Sequence, residues 1–250
     1  MKVKKYALIT GASSGIGEEF AKQLSKDYCL ILTARREDRL LKLKEKYDCE
    51  IIVADLAIEE DCYRLMDSIK DIKIDVFINN AGLGDCGCFC NTDLSKDLNM
   101  IDVNIKALHI LTKLMIKHMQ KYNQGYILNV ASSAGFFPAG PYMATYYASK
   151  SYVRSLTLAI AHELKDSNIY IGCLCPGPVD TEFNEVANVE FALKGISKEY
   201  CVKYAIKKMF AKRTIIIPGV TMKLAVSLGK FLPVQCLVRI VAHNQRKKFR

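Results

Sequence analysis

The 250-residue sequence lacks the long apolar runs of a membrane-spanning protein. No uninterrupted apolar stretch reaches the roughly 18 residues that a spanning helix needs, and the first residues lead into a predicted strand instead of the apolar region of a signal peptide. We therefore expect a cytoplasmic protein. The ten cysteines are expected to be reduced thiols, because a chain of this length builds its own core and needs no disulfide scaffold.

Internal repeats, low-complexity segments and linkers rich in Pro, Gly or Ser are also absent, and the length fits one large domain. Apolar runs of strand length alternate with amphipathic helical segments, a pattern typical of βαβ units. We predict an α/β fold with a single doubly wound, Rossmann-type parallel sheet of seven strands and helices on both faces. The predicted strands cover approximately residues 6–10, 29–34, 50–54, 75–79, 125–130, 170–175 and 214–218, and the main predicted helices cover residues 17–26, 40–46, 59–70, 100–121 and 148–164.

Acidic residues are missing from positions 200–250, which carry twelve of the 36 basic residues. The charge therefore sits in one terminal segment instead of along a groove, so we expect no nucleic-acid partner. We predict a catalytic domain over residues 1–221 and a basic helical extension of it over residues 222–250. The extension is either an amphipathic membrane anchor or, as we prefer, a packing or subunit-interface helix with a solvated basic end. The apolar residues that would form the anchor are Leu224, Val226, Leu228, Phe231, Leu232, Leu237, Ile240 and Val241.

A glycine-rich turn, Thr10-Gly11-Ala12-Ser13-Ser14-Gly15-Ile16-Gly17, follows the first predicted strand and leads into a helix. Glycines there let the backbone approach a pyrophosphate, whose charge is favoured at a helix N-terminus. The sequence therefore predicts a dinucleotide site, with a tight turn that binds no ligand as the alternative. The residues expected to form this part of the site are Gly11, Ser13, Ser14, Gly15, Ile16 and Gly17.

The second predicted strand ends in Arg35 and Arg36, where an acidic residue would bind the adenosine ribose of NAD(H). Arginines complement a 2′-phosphate instead, which predicts NADP(H) as the cofactor. An exposed basic pair at a helix start is the alternative. Further polar and small residues follow the third and fourth strands, where the adenine and its ribose are expected to lie. They are Asp55, Leu56, Asn80, Ala81 and Gly82.

Tyr146 and Lys150 lie one helical turn apart, but Tyr204 and Lys208 repeat this spacing, so the motif alone is weak. What separates Tyr146 is its context, because it follows a predicted strand and a Ser132-Ser133-Ala134-Gly135 turn. Reduction of a carbonyl builds negative charge on its oxygen and requires a proton. We expect the Lys150 ammonium to lower the pKa of the Tyr146 phenol by ~3 units, which would make it a general acid at neutral pH.

Together these motifs resemble the short-chain dehydrogenase/reductase family over the first 181 residues. The resemblance implies an NADP(H)-dependent oxidoreductase, a carbonyl reductase that interconverts a carbonyl and an alcohol. It implies that Ser133, thirteen residues before Tyr146 as in the family, binds the substrate oxygen, with Ser132 ranked second. It also implies that Lys150 binds the nicotinamide ribose and that Asn104 holds a water linking Lys150 to solvent. Further cofactor contacts are expected at Pro176, Gly177, Val179 and Thr181.

Homodimers or homotetramers, packed through helices 100–121 and 148–164, are a second implication of the resemblance. Within residues 178–205 we expect a substrate lid, whose apolar members include Phe183, Val186, Val189 and Phe191. The segments 84–90 and 136–143 are expected to face the same cavity. This lining favours a hydrophobic ketone or aldehyde, such as a steroid-like or acyl-chain carbonyl.

Two other functions remain open at this point. One is a non-catalytic protein that senses NADP(H), and the other is a lipid carbonyl reductase at a membrane surface. Cys86, Cys88 and Cys90 could be read as metal ligands, but alternate-residue spacing without a second ligand pair or a nearby histidine predicts no metal site.

Overall fold

The computed structural model describes residues 4–183 and 195–246, and it contains one seven-stranded sheet. All neighbouring strands pair in parallel, in the order β3-β2-β1-β4-β5-β6-β7. The predicted doubly wound fold is therefore confirmed. The strands are β1 (Tyr6–Thr10), β2 (Cys29–Ala34), β3 (Cys49–Val53), β4 (Ile74–Asn79), β5 (Gly125–Val130), β6 (Ile169–Leu174) and β7 (Ile215–Ile216).

Helices connect the strands on both faces of the sheet. They are α1 (Gly15–Leu24), α2 (Glu37–Lys44), α3 (Glu59–Ser68), α4 (Leu94–Ile101), α5 (Leu108–Gln120), α6 (Ala144–Glu163), α7 (Lys198–Phe210), α8 (Val220–Gly229) and α9 (Val234–Arg246). The helix predicted over residues 100–121 is present, but it begins earlier, at Leu94, and a π-helical segment at Asp102–Ala107 joins α4 to α5. A π turn realigns the side chains that follow it, and such turns are frequent at functional sites.

The sheet is buried on both faces, which explains why its strands are apolar without a break. Successive residues of β1 point to opposite sides, so that Ile9 packs with α1, α2 and α7 while Leu8 packs with α3 and α5. The strand order reverses between β1 and β4. At such a switch point the chain leaves neighbouring strands in opposite directions, and a crevice opens at their carboxyl ends.

A buried polar chain connects the middle of the sheet to α5 and α6. Asn79 donates to Thr112 Oγ1 at 3.2 Å, Thr112 Oγ1 donates to Asn129 Oδ1 at 3.1 Å, and Asn129 Nδ2 donates to Thr157 Oγ1 at 3.0 Å. These four side chains are at most 2% exposed. Because an unpaired polar group is costly to bury, the chain specifies how α5 and α6 sit on β4 and β5.

The two helices at the end of the described chain fold back onto the carboxyl edge of the sheet. Leu237, Val241 and Gln245, spaced four residues apart on α9, are buried. Gln245 Nε2 donates to Tyr147 Oη at 2.7 Å, and Arg246 Nη2 donates to Tyr142 Oη at 2.9 Å. In the described ranges, no helix is both long enough and apolar enough to cross a membrane.

Candidate active site

A cavity of about 610 Å³ opens where β1, β2, β4 and β5 end. It brings together nearly all of the predicted site residues, although Gly17 and Asn104 lie behind its wall. The predicted residues that line it are Gly11, Ser13, Ser14, Gly15, Ile16, Arg35, Arg36, Asp55, Leu56, Asn80, Ala81, Gly82, Ser133, Tyr146, Lys150, Pro176, Gly177, Val179 and Thr181.

The glycine-rich turn forms one end of this cavity. Gly11 and Gly15 have left-handed backbones with φ of 64° and 58°, which side chains rarely adopt. A Cβ on Gly17 would overlap the carbonyl oxygen of Gly11, so the turn needs glycine there as well. Ser14 precedes α1, but its side chain does not cap the helix. The amino end of α1 can therefore receive an anion such as a phosphate.

The two arginines at the end of β2 have different partners. Arg36 Nη2 donates to Ser14 Oγ at 2.8 Å and to Ser13 Oγ at 3.2 Å, so its guanidinium lies over the glycine-rich turn. Arg35 Nη1 is 3.9 Å from the carboxylate of Asp55. Arg36 is thus the arginine that can contact a phosphate group together with the turn.

Sequence reasoning missed an ion pair beside these arginines. Glu182 Oε2 is 2.6 Å from Arg39 Nη1 and 3.7 Å from Arg36 Nη1. The hydrogen bond from Arg39 lowers the pKa of the Glu182 carboxyl, which therefore stays ionised near neutral pH. The position of Arg39, one helical turn after Arg36, was the available indication, but no motif points to Glu182.

Helix α6 places Tyr146 and Lys150 one turn apart at the other end of the dinucleotide groove. Lys150 is 4% exposed; its Nζ donates to the carbonyl oxygen of Val130 at 3.1 Å and lies 5.7 Å from the centre of the Tyr146 ring. Burial lowers the pKa of the Lys150 ammonium to about 8. Burial also raises the pKa of the Tyr146 phenol to about 12, and a smaller, opposing effect comes from the hydroxyl of Ser132.

The expected direction of the Tyr146 shift is therefore wrong for this structure. Desolvation disfavours the charged form of both groups, and neither group is among the causes of the other's pKa shift. The Lys150 ammonium is instead directed to a backbone carbonyl. As a result the phenol is fully protonated at neutral pH.

Ser132, not the higher-ranked Ser133, is the serine whose hydroxyl lowers the pKa of Tyr146; its Oγ also accepts from Ala134 N at 3.1 Å and lies 3.5 Å from Pro176 O. Ser132 directly precedes a 3-10 turn, while the backbone N–H of Ser133 donates to Pro176 O at 2.7 Å. Both serines line the cavity. Which of the two hydroxyls binds the substrate oxygen stays a prediction.

Asn104 lies in the π-helical segment and is fully buried. Its amide accepts from Leu83 N at 2.8 Å and donates to Leu83 O at 2.9 Å and Ser149 Oγ at 3.0 Å. A Cβ on Gly82 would lie 3.2 Å from both Asn104 Oδ1 and Lys150 Nζ, so the two side chains flank this glycine. Asn104 thus connects the loop after β4 to the residue next to Lys150. Its role toward a water stays a prediction.

Beyond Tyr146 the cavity widens into an apolar chamber. Phe137, Met143 and Phe183 line it as predicted, whereas the segment 84–90 does not; Asp85, Gly87 and Phe89 line a separate, much smaller pocket. Val186, Val189 and Phe191 lie outside the described residues. The remaining apolar wall comes from α8, α9 and the residues between them, which sequence reasoning assigned to a membrane or a subunit interface. These residues are Met222, Ala225, Leu228, Leu232, Leu237, Ile240 and Val241.

The short chain dehydrogenase family profile matches residues 5–190. The chain therefore belongs to the short-chain dehydrogenase/reductase family and is an oxidoreductase. A very-long-chain 3-oxoacyl-CoA reductase from Pyrenophora tritici-repentis is 34% identical over 194 residues, which are 72% of this chain and 57% of that protein.

Two solved structures share the fold. A short chain dehydrogenase/reductase from Burkholderia phymatum in complex with NAD has a TM-score of 0.82 at 22% identity, over 90% of this chain and 92% of that one. A short-chain dehydrogenase from Sphingobium yanoikuyae in complex with NADPH has a TM-score of 0.80 at 26% identity, over 92% and 96% of the two chains. Proteins of this fold thus bind either nicotinamide dinucleotide.

Replacing Lys150 with methionine should stabilise the protein, because it removes a buried ammonium. The free-energy cost of burying this charge is fully present below pH 8, where Lys150 is charged in both the folded and the unfolded chain. This cost disappears as the pH rises from 8 to the ordinary lysine pKa of 10.5. We expect Lys150→Met to raise the free energy of unfolding by on the order of 2–3 kcal/mol at pH 7, and by much less at pH 10, in urea titrations.

The matched control is Lys42→Met, at an exposed lysine of α2, which should change stability little at either pH. A destabilised Lys150→Met protein at pH 7, or a gain of the same size at both pH values, would contradict the assigned cause.

Proposed function

We propose that this protein is an NADP(H)-dependent reductase that converts an apolar ketone or aldehyde into an alcohol by hydride transfer, with Tyr146 as the general acid. The observation that carries this proposal is the convergence of the Tyr146 phenol, the Ser132 hydroxyl and the Lys150 ammonium beside one cavity. That cavity joins a glycine-rich anion site to an apolar chamber.

The groove fits a nicotinamide dinucleotide. Its glycines leave room that a Cβ would fill, and the uncapped start of α1 suits a pyrophosphate. Arg36 over the turn supports a 2′-phosphate, and with it NADP(H). Asp55, Asn80 and Gly82 would hold the adenosine half, and Lys150 and Thr181 the nicotinamide half. When bound, the cofactor supplies the hydride.

Tyr146 supplies the proton in this proposal. The substrate oxygen lies beside the phenol and the Ser132 hydroxyl, which stabilise the charge that develops on it. Because the phenol is protonated at neutral pH, it is ready to donate, whereas alcohol oxidation would need the phenolate. The raised pKa therefore suits Tyr146 to the role of proton donor near neutral pH.

The substrate half of the cavity supports a carbonyl on an apolar body. Its walls carry aromatic and aliphatic side chains from several elements, including Phe137, Phe183 and Leu237. The name of the 3-oxoacyl-CoA reductase relative points to an acyl chain as that body. Gln245 adds one polar feature, because its buried Oε1 has no partner among the described residues and could accept a hydrogen bond from the substrate.

We also propose that the chain forms homodimers or homotetramers through α4, α5 and α6. Exposed apolar residues on α4 and α6 support this, among them Leu98, Ile101 and Leu158.

NADPH oxidation by the purified full chain should be fastest with long-chain 3-oxoacyl thioesters and bulky apolar ketones. Ser132→Ala should lower kcat with these substrates by about 10²-fold, since it removes a donor to the developing charge. Ser133→Ala, at the serine thirteen residues before Tyr146, is the comparison, and the role of Ser132 requires that this variant lose less activity. Turnover of small polar ketones alone would contradict the substrate class, and a larger loss in Ser133→Ala would contradict the role of Ser132.

Cofactor preference should depend on Arg36. We expect Arg36→Ala to raise the Kd for NADPH by about 10- to 100-fold, the size of a lost charge-assisted pair, and to change the Kd for NADH much less. Arg35→Asp should reduce or reverse the preference for NADPH over NADH. Arg213→Ala, at an exposed arginine between α7 and β7, is the control and should leave both constants unchanged. Equal losses of NADPH and NADH binding in Arg36→Ala would contradict a 2′-phosphate contact.

A further inference from the structure

A group of exposed apolar side chains lies on α8, on α9 and between them, and some of its members line the chamber. Their exposed fractions run from 44% for Leu232 to 86% for Phe231, values unusual for large apolar residues that lie close together in the sequence. We call this group the apolar rim. It consists of Val220, Leu224, Leu228, Phe231, Leu232, Val234 and Ile240.

Part of the rim is one face of α8. Val220, Leu224 and Leu228 are spaced four residues apart, so they form one stripe along α8, and that stripe is exposed. Val226, on another side of the helix, is buried. A helix of a water-soluble surface would carry polar residues on its outer stripe, so this stripe indicates a contact with something apolar.

The rim is continuous with the cavity. Leu228, Leu232 and Ile240 line the chamber and are also substantially exposed, so they stand at the opening between the chamber and the surroundings. A surface that covers the rim would therefore also face the opening of the chamber.

Basic residues accompany the rim, and acidic ones do not. Lys223, Lys230 and Arg239 are exposed and directly precede Leu224, Phe231 and Ile240. None of the three forms an ion pair with an acidic side chain within residues 4–183 and 195–246. The sequence has no acidic residue from 200 to 250. Apolar side chains beside cations without acidic partners are typical of segments that lie on anionic membranes.

We propose that the apolar rim docks on the surface of an anionic lipid bilayer, with Lys230 and Arg239 at the headgroups and the mouth of the chamber against the lipid. A second copy of the chain fits the rim less well. Two acid-free rims would repel each other, and a copy seated there would close the opening of the chamber.

Docking would give an apolar substrate a route from the bilayer into the chamber that avoids water. This consequence rests on the proposed function, whereas the docking itself rests only on the rim and its charges.

Co-sedimentation of the full chain with vesicles tests the proposal. We expect the protein to pellet with vesicles of phosphatidylcholine and phosphatidylglycerol, and at least about tenfold less with phosphatidylcholine alone. The double variant Leu224→Glu/Phe231→Glu should lower binding to the anionic vesicles by about tenfold or more. Lys230→Glu/Arg239→Glu should do the same through charge.

The matched controls are Leu41→Glu and Lys42→Glu, which change an exposed leucine and an exposed lysine on α2 and should bind like the wild type. Wild-type protein that stays in the supernatant, binds neutral vesicles equally well, or binds undiminished in the rim variants would overturn the proposal. So would a wild-type dimer in sedimentation velocity that becomes a monomer in Leu224→Glu/Phe231→Glu, because the rim would then be a subunit interface.

NADPH oxidation with a water-soluble ketone separates this inference from the proposed function. Rim variants that no longer bind vesicles but keep this activity support docking. An active enzyme that never binds vesicles overturns docking alone, and a vesicle-bound protein without reductase activity overturns the proposed function alone.

Discussion

The burial of a phenol and an ammonium on one turn of α6 is the constraint on which the site depends. Removing both groups from water keeps Tyr146 protonated and makes Lys150 costly to charge. Neither effect would persist if α6 could shift, and the buried polar chain from Asn79 to Thr157 holds that helix against β5. The sheet therefore contributes to the chemistry indirectly, because it determines the position of the helix that carries the proton donor.

The chamber beyond Tyr146 depends on a different part of the chain. Helices α8 and α9 form its outer wall, and Gln245 and Arg246 attach α9 to the tyrosines around the start of α6. The same two helices present apolar and basic residues outward. One short region thus defines the space for a substrate and the surface around its entrance, so changes there would affect both substrate choice and surface contacts.

Much of this arrangement could be predicted from the sequence. Alternating strand and helix patterns located all seven strands, and the positions of motifs after strands located the groove, because parallel strands bring their carboxyl ends to one edge. Three features could not be predicted. No motif indicated the ion pair between Arg39 and Glu182, and the apolar stripe of α9 showed that one face is buried but not what covers it. The direction of the Tyr146 pKa shift depends on how deeply the phenol is buried in the folded protein, and a sequence motif gives no information on burial.

The central claim is that the Tyr146 phenol protonates the substrate oxygen. The most direct measurement is single-turnover NADPH oxidation by Tyr146→Phe, with NADPH affinity followed separately by fluorescence. The account predicts that the rate falls by about 10²- to 10⁴-fold, the usual contribution of a general acid, while the Kd for NADPH changes by less than about threefold. Turnover near the wild-type rate with unchanged NADPH affinity would contradict it.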